Sequence, residues 1–169
     1  MGVNRATLVC LALAGVGCGS VSVDNAPDRA PGGPGGQDGF LAEDLWSAFQ
    51  DYSGWGRPDG WSETPTESAD HVGLFVVRYD NATLASWDGG GEAPEGSIAL
   101  KEEFDEDGVL LGFTAMQKRE GYDPDHGDWF WAKYDADGAV RTSGQVAMCF
   151  TCHADAPADY LHTDPPTGP

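Results

Sequence analysis

Two cysteines and a histidine near the C-terminus form the part of the sequence with the most specific chemistry. Residues 149–153 read Cys-Phe-Thr-Cys-His, and this spacing of two cysteines followed directly by a histidine is the attachment pattern of c-type haem. Both thiols add to vinyl groups of the porphyrin, while the adjacent imidazole takes an axial position on the iron. The sequence therefore predicts one covalent haem c, with Cys149 and Cys152 as thioether residues and His153 as iron ligand.

Two other uses of these thiols stay open. A disulfide between Cys149 and Cys152, or a redox dithiol, would use the same side chains, but a dithiol motif is expected after a strand in a βαβ unit, and the sequence shows no such unit. A zinc site needs about four ligands, usually from two separated pairs, and the sequence has no second Cys or His pair. Haem attachment is therefore the first hypothesis.

A second axial ligand would change the predicted function. Met116 as a sixth ligand would give an electron-transfer cytochrome with a raised potential, although a methionine in a strand more often fills a core. His71, His126 and His162 are expected to be surface or hydrogen-bonded histidines rather than iron ligands. The sequence therefore favours an iron with one protein ligand and an open position.

The N-terminus carries the features of an export signal. An apolar run over residues 6–14 follows Arg5; it is too short to span a bilayer and has the size of a secretory h-region. Residues 1–18 are therefore predicted to be a signal peptide, which agrees with the attachment of c-type haem outside the bacterial cytoplasm. Cys18 resembles a lipobox cysteine, although Gly15 stands where that pattern prefers Leu. We expect a periplasmic or cell-envelope protein anchored by lipid through Cys18, with ordinary cleavage as the alternative.

The remaining chain divides into a tether and one domain. Residues 19–39 are rich in Gly and Pro and predict a disordered tether, while residues 40–169 suffice for a single domain with one core. The net charge of −19 argues against nucleic acid, which is bound through Lys and Arg. This charge fits a small-molecule ligand or a basic redox partner such as another cytochrome, and an acidic surface without a partner fits equally well.

Hydrophobic patterning supplies the elements that must position the motif. Leu41, Leu45, Phe49 and Tyr52 recur at helical spacing, and the segment before the motif, from residue 144, should be helical. A short helix is expected over 81–87 and a loop over 53–70. Strands are predicted, from apolar and aromatic runs separated by turns, over 71–79, 97–105, 109–120 and 128–134. The fold class is therefore α+β, mainly antiparallel β-sheet with a few short helices, with the haem packed against the sheet.

The order of five segments resembles the cytochrome P-460 family. They include Gly-Ser-Ile-Ala-Leu-Lys, Gly-Asp-Trp-Phe-Trp and the haem motif, and they occupy 95–102, 112–118, 127–131, 149–153 and 159–163. The resemblance covers residues 71–163. It implies a small antiparallel-sheet protein with one c-type haem, a proximal histidine and an open distal side. In cytochromes P-460 a lysine is cross-linked to the porphyrin and hydroxylamine is oxidised; the related cytochromes c-prime-beta lack the cross-link and bind nitric oxide.

The resemblance assigns roles to single positions. Cys149 and Cys152 would carry the haem and His153 would be the proximal ligand. Lys101 stands where the cross-linking lysine is found, although an ordinary strand lysine that points to water is the alternative. These four positions keep the pattern of the family.

Two distal positions depart from it. Thr114 stands where hydroxylamine-oxidising members have a glutamate, and Phe75 stands where they have an arginine. A pocket without that base would support proton-coupled oxidation poorly and suits a neutral diatomic ligand. Three hypotheses follow, namely an oxidoreductase acting on hydroxylamine, a nitric oxide binder without turnover, and a plain electron carrier. Whether two chains pair through the sheet stays open.

Overall fold

The computed structural model describes residues 37–68, 71–80, 83–84 and 91–162. The predicted signal peptide, the lipobox at Cys18 and most of the tether lie outside these ranges, as do most of the helix predicted over 81–87 and the tail after His162. Within the described ranges, no helix is long and apolar enough to cross a membrane.

A single antiparallel sheet of six strands forms the centre of the molecule, and the strands are neighbours in the order of the sequence. Two α-helices accompany it, α1 at Gln37–Ala48 and α2 at Ala147–His153. The strands are β1 at Thr66–Ser68, β2 at His71–Tyr79, β3 at Ile98–Phe104, β4 at Leu110–Lys118, β5 at Trp129–Asp135 and β6 at Val140–Gly144. This architecture confirms the predicted α+β class with a mainly antiparallel sheet.

The four central strands lie close to their predicted ranges, whereas β1 and β6 were not predicted. These two strands are the edges of the sheet. β1 is three residues long within the predicted loop, and β6 has the sequence Val-Arg-Thr-Ser-Gly, which lacks an apolar run. Each is defined by pairing with one neighbouring strand, and sequence periodicity does not report such pairing.

Helix α1 begins at Gln37, inside the predicted tether, and ends at Ala48 rather than Tyr52. The early start has a tertiary cause, because the buried Asp38 carboxylate accepts a hydrogen bond of 3.0 Å from the Tyr122 hydroxyl. After the helix, Tyr52–Gly54 forms a 3₁₀ turn. The start of the domain is therefore held by a contact with a residue far along the chain.

The two faces of the sheet bury different partners, because successive side chains of a strand point to opposite faces. One face, the α1 face, packs against Ala42, Leu45 and Phe49. Its strand residues are Ile98, Leu100, Phe113, Ala115, Phe130, Ala132 and Tyr134. The opposite face, here called the site face, packs against α2 and Leu161. Its buried strand residues are Tyr79, Ala99, Met116, Trp129 and Trp131.

A buried ion pair on the α1 face makes a measurable contribution to stability. Arg78 Nε lies 2.6 Å from Glu102 Oε2, and the Tyr52 hydroxyl donates to Glu102 Oε1 at 2.9 Å. Arg78→Met leaves a buried carboxylate without its cation, so we expect the free energy of unfolding to fall by about 3 kcal/mol. Urea unfolding measures this loss. Arg141→Met, which breaks an exposed pair with Asp135, should cost less than about 1 kcal/mol; equal losses would contradict the prediction.

Candidate haem site

A row of four side chains crosses the site face, and its polar members Lys101, Thr114 and Lys133 are here called the polar row. Lys101 lies opposite Val77 on β2 and Thr114 on β4, and Thr114 lies opposite Lys133 on β5. Phe75 is on the same face of β2, and Lys101 Nζ is 6.0 Å from the centroid of its ring. The structure therefore brings together Lys101, Thr114 and Phe75, the three positions to which the sequence assigns the cross-link and the distal pocket.

Glu103 joins the side chains of this row into one network. Its Oε1 lies 3.2 Å from Lys101 Nζ and accepts a hydrogen bond of 2.8 Å from the Thr114 hydroxyl. Its Oε2 lies 2.9 Å from Lys133 Nζ. Sequence reasoning missed Glu103 and Lys133. Their charge on predicted strands was visible, but the strand register that brings them to Lys101 and Thr114 was not.

The network keeps the Glu103 carboxylate ionised. Partial burial acts to raise its pKa, but the hydrogen bond from Lys133, the charge of Lys101 and the hydrogen bond from Thr114 together outweigh burial and lower the pKa to about 2. A carboxylate sits beside Thr114 even though position 114 itself carries none. With so low a pKa it is a strong charge partner and a weak proton acceptor.

The Glu103 network predicts a pH dependence of stability. A pKa lowered from 4.5 to about 2 on folding stabilises the fold above pH 4.5, and this contribution is lost as the pH falls through about 2. Its full value is about 2 kcal/mol, after allowing for solvent screening. Glu103→Gln should therefore have a lower free energy of unfolding at neutral pH, and this free energy should fall less steeply as the solution is acidified. Urea unfolding at several pH values measures both effects. Exposed Glu106→Gln is the control, and a Glu103→Gln curve parallel to that of the unmodified protein would contradict the prediction.

Helix α2 packs the predicted haem motif on the site face of the sheet. Cys149 is half buried and packs on the site-face cluster, whereas Cys152 is exposed. Burial raises the pKa of the Cys149 thiol, while the nearby charges of Lys101 and Lys133 oppose that shift. The Cys149 sulfur is therefore within electrostatic reach of Lys101 and Lys133.

A hydrogen bond to the backbone orients the His153 ring. Nδ1 of His153 lies 2.7 Å from the carbonyl oxygen of Tyr160, so Nδ1 carries the proton as donor and the lone pair resides on Nε2. The ring also makes edge contacts with Trp131 at 4.7 Å and with His162 at 4.8 Å between centroids. This tautomer and these contacts give the imidazole one orientation, as suits a metal ligand.

The other candidate ligands that the structure describes, Met116, His126 and His162, each contact neighbouring side chains. Met116 is 3% exposed within the site-face cluster. His126 is hydrogen-bonded to the Asp123 carboxylate at 2.9 Å and stacks on Phe150 with ring centroids 3.8 Å apart. His162 contacts the ring of His153 itself, so it lies beside this ligand rather than across an iron from it. The side chain of His71 is not described.

The alternative uses of the cysteines find no support in the described ranges. Cys149 and Cys152 are both free thiols, without a disulfide between them. No group of three or more His, Cys, Asp or Glu side chains within those ranges could hold a metal ion. Two thiols and one oriented imidazole on a single short helix therefore form a donor set that fits a haem better than a zinc ion.

An open cleft beside the polar row provides an apolar wall. It lies between the loop before β1 and strand β2, and Trp61, Phe75 and Val77 line it. Phe75 and Val77 belong to the site face, so the cleft continues the surface on which Lys101 and Thr114 lie. Ser62, Thr66 and Val76, which belongs to the α1 face, also line this cleft.

Comparison with known proteins agrees with this geometry. The sequence model described as Cytochrome P460 matches residues 50–163, a range that contains all six strands, the polar row and helix α2. No curated protein matches the chain. The chain therefore belongs to the cytochrome P460 family, a family of haem proteins that act on small nitrogen species.

Proposed function

We propose that this protein carries one covalent haem c and that its iron binds or oxidises a small nitrogen species such as hydroxylamine or nitric oxide. Cys149 and Cys152 would form the two thioether bonds, and His153 would bind the iron through Nε2. The observation that carries the proposal is the hydrogen bond from His153 Nδ1 to the Tyr160 carbonyl, because it leaves the lone pair on the nitrogen that a haem iron would bind. It occurs on the same helix as both thiols.

The bound haem would supply the redox chemistry and the position at which a diatomic or hydroxylamine binds. The protein supplies orientation, charge and access. The Tyr160 carbonyl would hold the His153 imidazole in one orientation for the iron. On the same face of the sheet, Phe75 and Val77 would supply apolar contact, and Lys101 and Thr114 would supply polar groups.

Lys101 is the residue we assign to a covalent bond with the porphyrin edge. Lys101 is on the site face, on which α2 also packs, and its charge opposes the rise that burial causes in the pKa of the Cys149 thiol. Lys133 lies in the same polar row, paired with the same carboxylate through its other oxygen. Position within the family pattern distinguishes the two lysines, because only Lys101 follows the Gly-Ser-Ile-Ala-Leu segment.

A second function, nitric oxide binding without turnover, is favoured by the Glu103 network. Oxidation of hydroxylamine releases protons, and a good general base has a pKa near the working pH. The Glu103 pKa of about 2 makes it a weak base, and the Thr114 hydroxyl already donates to it. The polar row therefore suits binding of a ligand better than acceptance of protons from a substrate.

One set of measurements separates these functions. The purified full-length protein should show the absorption spectrum of haem c and should retain the haem mass after denaturation. Steady-state oxidation of hydroxylamine with an electron acceptor then supports the enzyme, whereas nitric oxide binding to the ferrous protein without such turnover supports the binder. A ferrous spectrum of a six-coordinate iron that does not respond to nitric oxide would identify an electron carrier and contradict both.

We further propose that the protein is exported and anchored to the cell envelope through lipidated Cys18, where a redox partner such as another cytochrome could exchange electrons with it. The apolar run and the cysteine that follows it support this proposal, and c-type haem attachment requires export. Incorporation of labelled fatty acid into the protein, lost in Cys18→Ser, tests the anchor. Release of the unmodified protein as a soluble, unlabelled form would overturn it.

A further inference from the structure

The segment that receives the His153 hydrogen bond has an unusual backbone. Asp159 and Tyr160 are consecutive, neither is glycine, and both have left-handed conformations, with φ of 46° and 63°. Such conformations are unfavourable for bulky L-residues and persist only where surrounding contacts impose them. Leu161, which follows, is 2% exposed. The contacts that impose this turn therefore also decide where the Tyr160 carbonyl points.

Asp159 is held from three directions. Its carboxylate accepts hydrogen bonds of 2.8 and 3.0 Å from Lys118 Nζ and one of 2.7 Å from the Ala93 backbone N–H. Its carbonyl oxygen accepts a hydrogen bond of 2.9 Å from Trp129 Nε1. The Lys118 and Asp159 side chains are 12% and 6% exposed, so this is a buried ion pair with its hydrogen bonds satisfied.

The neighbouring residue is held by close packing. The Tyr160 ring lies against Gly127, where an added Cβ would come within 2.9 Å of the ring, and the φ of Gly127 is itself +69°. On the other side, the Lys118 ammonium lies 5.3 Å from the centroid of the Trp129 ring. Strand β4, strand β5 and the loop before β5 thus jointly fix a turn near the C-terminus.

We propose that Lys118 and Asp159 form a positioning device for the haem ligand, here called the C-terminal latch: their buried ion pair holds the left-handed Asp159–Tyr160 turn that aims the Tyr160 carbonyl at Nδ1 of His153. The inference rests on the proposed role of His153 as axial ligand. The latch side chains act through the Tyr160 peptide carbonyl, which raises the basicity of a ligating imidazole when it accepts a hydrogen bond from Nδ1–H.

Spectroscopy of the haem-loaded, full-length protein tests the latch. Asp159→Asn keeps an acceptor for the Ala93 N–H but removes the negative charge. Lys118→Met keeps an unbranched side chain beside Trp129 but removes the positive charge. Both should lower the ferrous iron–histidine stretching frequency and raise the reduction potential. The expected size is about a tenfold change in the ferric–ferrous equilibrium constant, by analogy with the roughly 10–100-fold loss of metal affinity or activity that follows removal of a ligand's hydrogen-bond partner. Lys118→Arg, which keeps the cation, should restore both properties towards those of the unmodified protein.

The chain offers a matched control on the opposite face of the sheet. Arg78→Met breaks an ion pair of similar burial, so it should lower thermal stability comparably while leaving the potential and the stretching frequency unchanged. If Asp159→Asn and Lys118→Met lose stability but keep both properties, the latch is structural only and the inference is wrong. An unmodified protein whose haem lacks a histidine ligand would instead overturn the proposed function itself.

Discussion

Replacing both thiols, as in Cys149→Ser with Cys152→Ser, in a Lys101→Ala background is expected to abolish covalent haem completely. The two thioether bonds are the only covalent links that the motif provides, and Lys101→Ala removes the proposed cross-link, so no haem mass should remain on the denatured chain of this variant. Each single variant should retain one bond and a shifted absorption band. Denaturing mass spectrometry and haem staining after electrophoresis measure the result.

The neighbouring residue Thr151 provides the matched control for this experiment. It lies on α2 between the two cysteines and is exposed, so Thr151→Ser should leave haem content unchanged. His153→Ala should keep the covalent bonds and lose the axial ligand, which separates attachment from ligation. If a variant that lacks both thiols and the Lys101 amine still carries haem through denaturation, the assignment of both cysteines is wrong.

Lys101→Ala is expected to have the second largest effect. If the Lys101 amine is bonded to the porphyrin, the variant loses that bond, its ferrous absorption maximum moves, and hydroxylamine turnover falls by about a hundredfold, the usual scale for removing one group that acts at a reacting centre. Absorption spectra and steady-state oxidation rates of the purified variant measure these effects. Peptide mapping of the unmodified protein should locate haem mass on the peptide that contains Lys101.

Lys133→Ala is the control that distinguishes loss of the Lys101 cross-link from loss of a positive charge beside Glu103. Both lysines contact Glu103, at 3.2 Å and 2.9 Å respectively, so either variant removes one cation from the same carboxylate. Lys133→Ala should alter the acid stability that depends on Glu103 and leave the absorption maximum in place. Identical spectra of the Lys101→Ala variant and the unmodified protein would show that Lys101 is an ordinary charged strand residue and would favour the nitric oxide binder.

The Glu103 network changes the interpretation of Thr114 and Phe75, the two positions that depart from the family pattern. The sequence indicated that Thr114 and Phe75 leave the pocket without its base, yet the fold brings a carboxylate within hydrogen-bonding distance of Thr114. That carboxylate is held ionised between two lysines, so it differs from a base poised near neutral pH. The surroundings of Thr114 are therefore charged rather than merely apolar, with one carboxylate between two ammonium groups.

Local patterns in the sequence determined the elements and the haem motif. The five residues that end with His153 predict haem attachment by their spacing alone, because two thiols and an imidazole that bind one porphyrin would have to come from one short stretch of chain. Runs such as Trp-Phe-Trp predicted the central strands because apolar and β-favouring residues are recognisable within a few positions. The α+β class followed from the succession of these strands with short turns.

The tertiary structure alone decided which distant residues meet. Glu103 reaches Thr114 and Lys133 only through the register of three strands, and a shift of one residue would move every side chain to the other face. The Tyr160 carbonyl reaches His153 through a left-handed turn that Asp159 and Tyr160 do not favour by themselves, and in that turn Asp159 is paired with Lys118, which is 41 residues earlier in the chain. Sequence periodicity is a local property, whereas register and imposed backbone conformation depend on contacts between residues far apart in the chain.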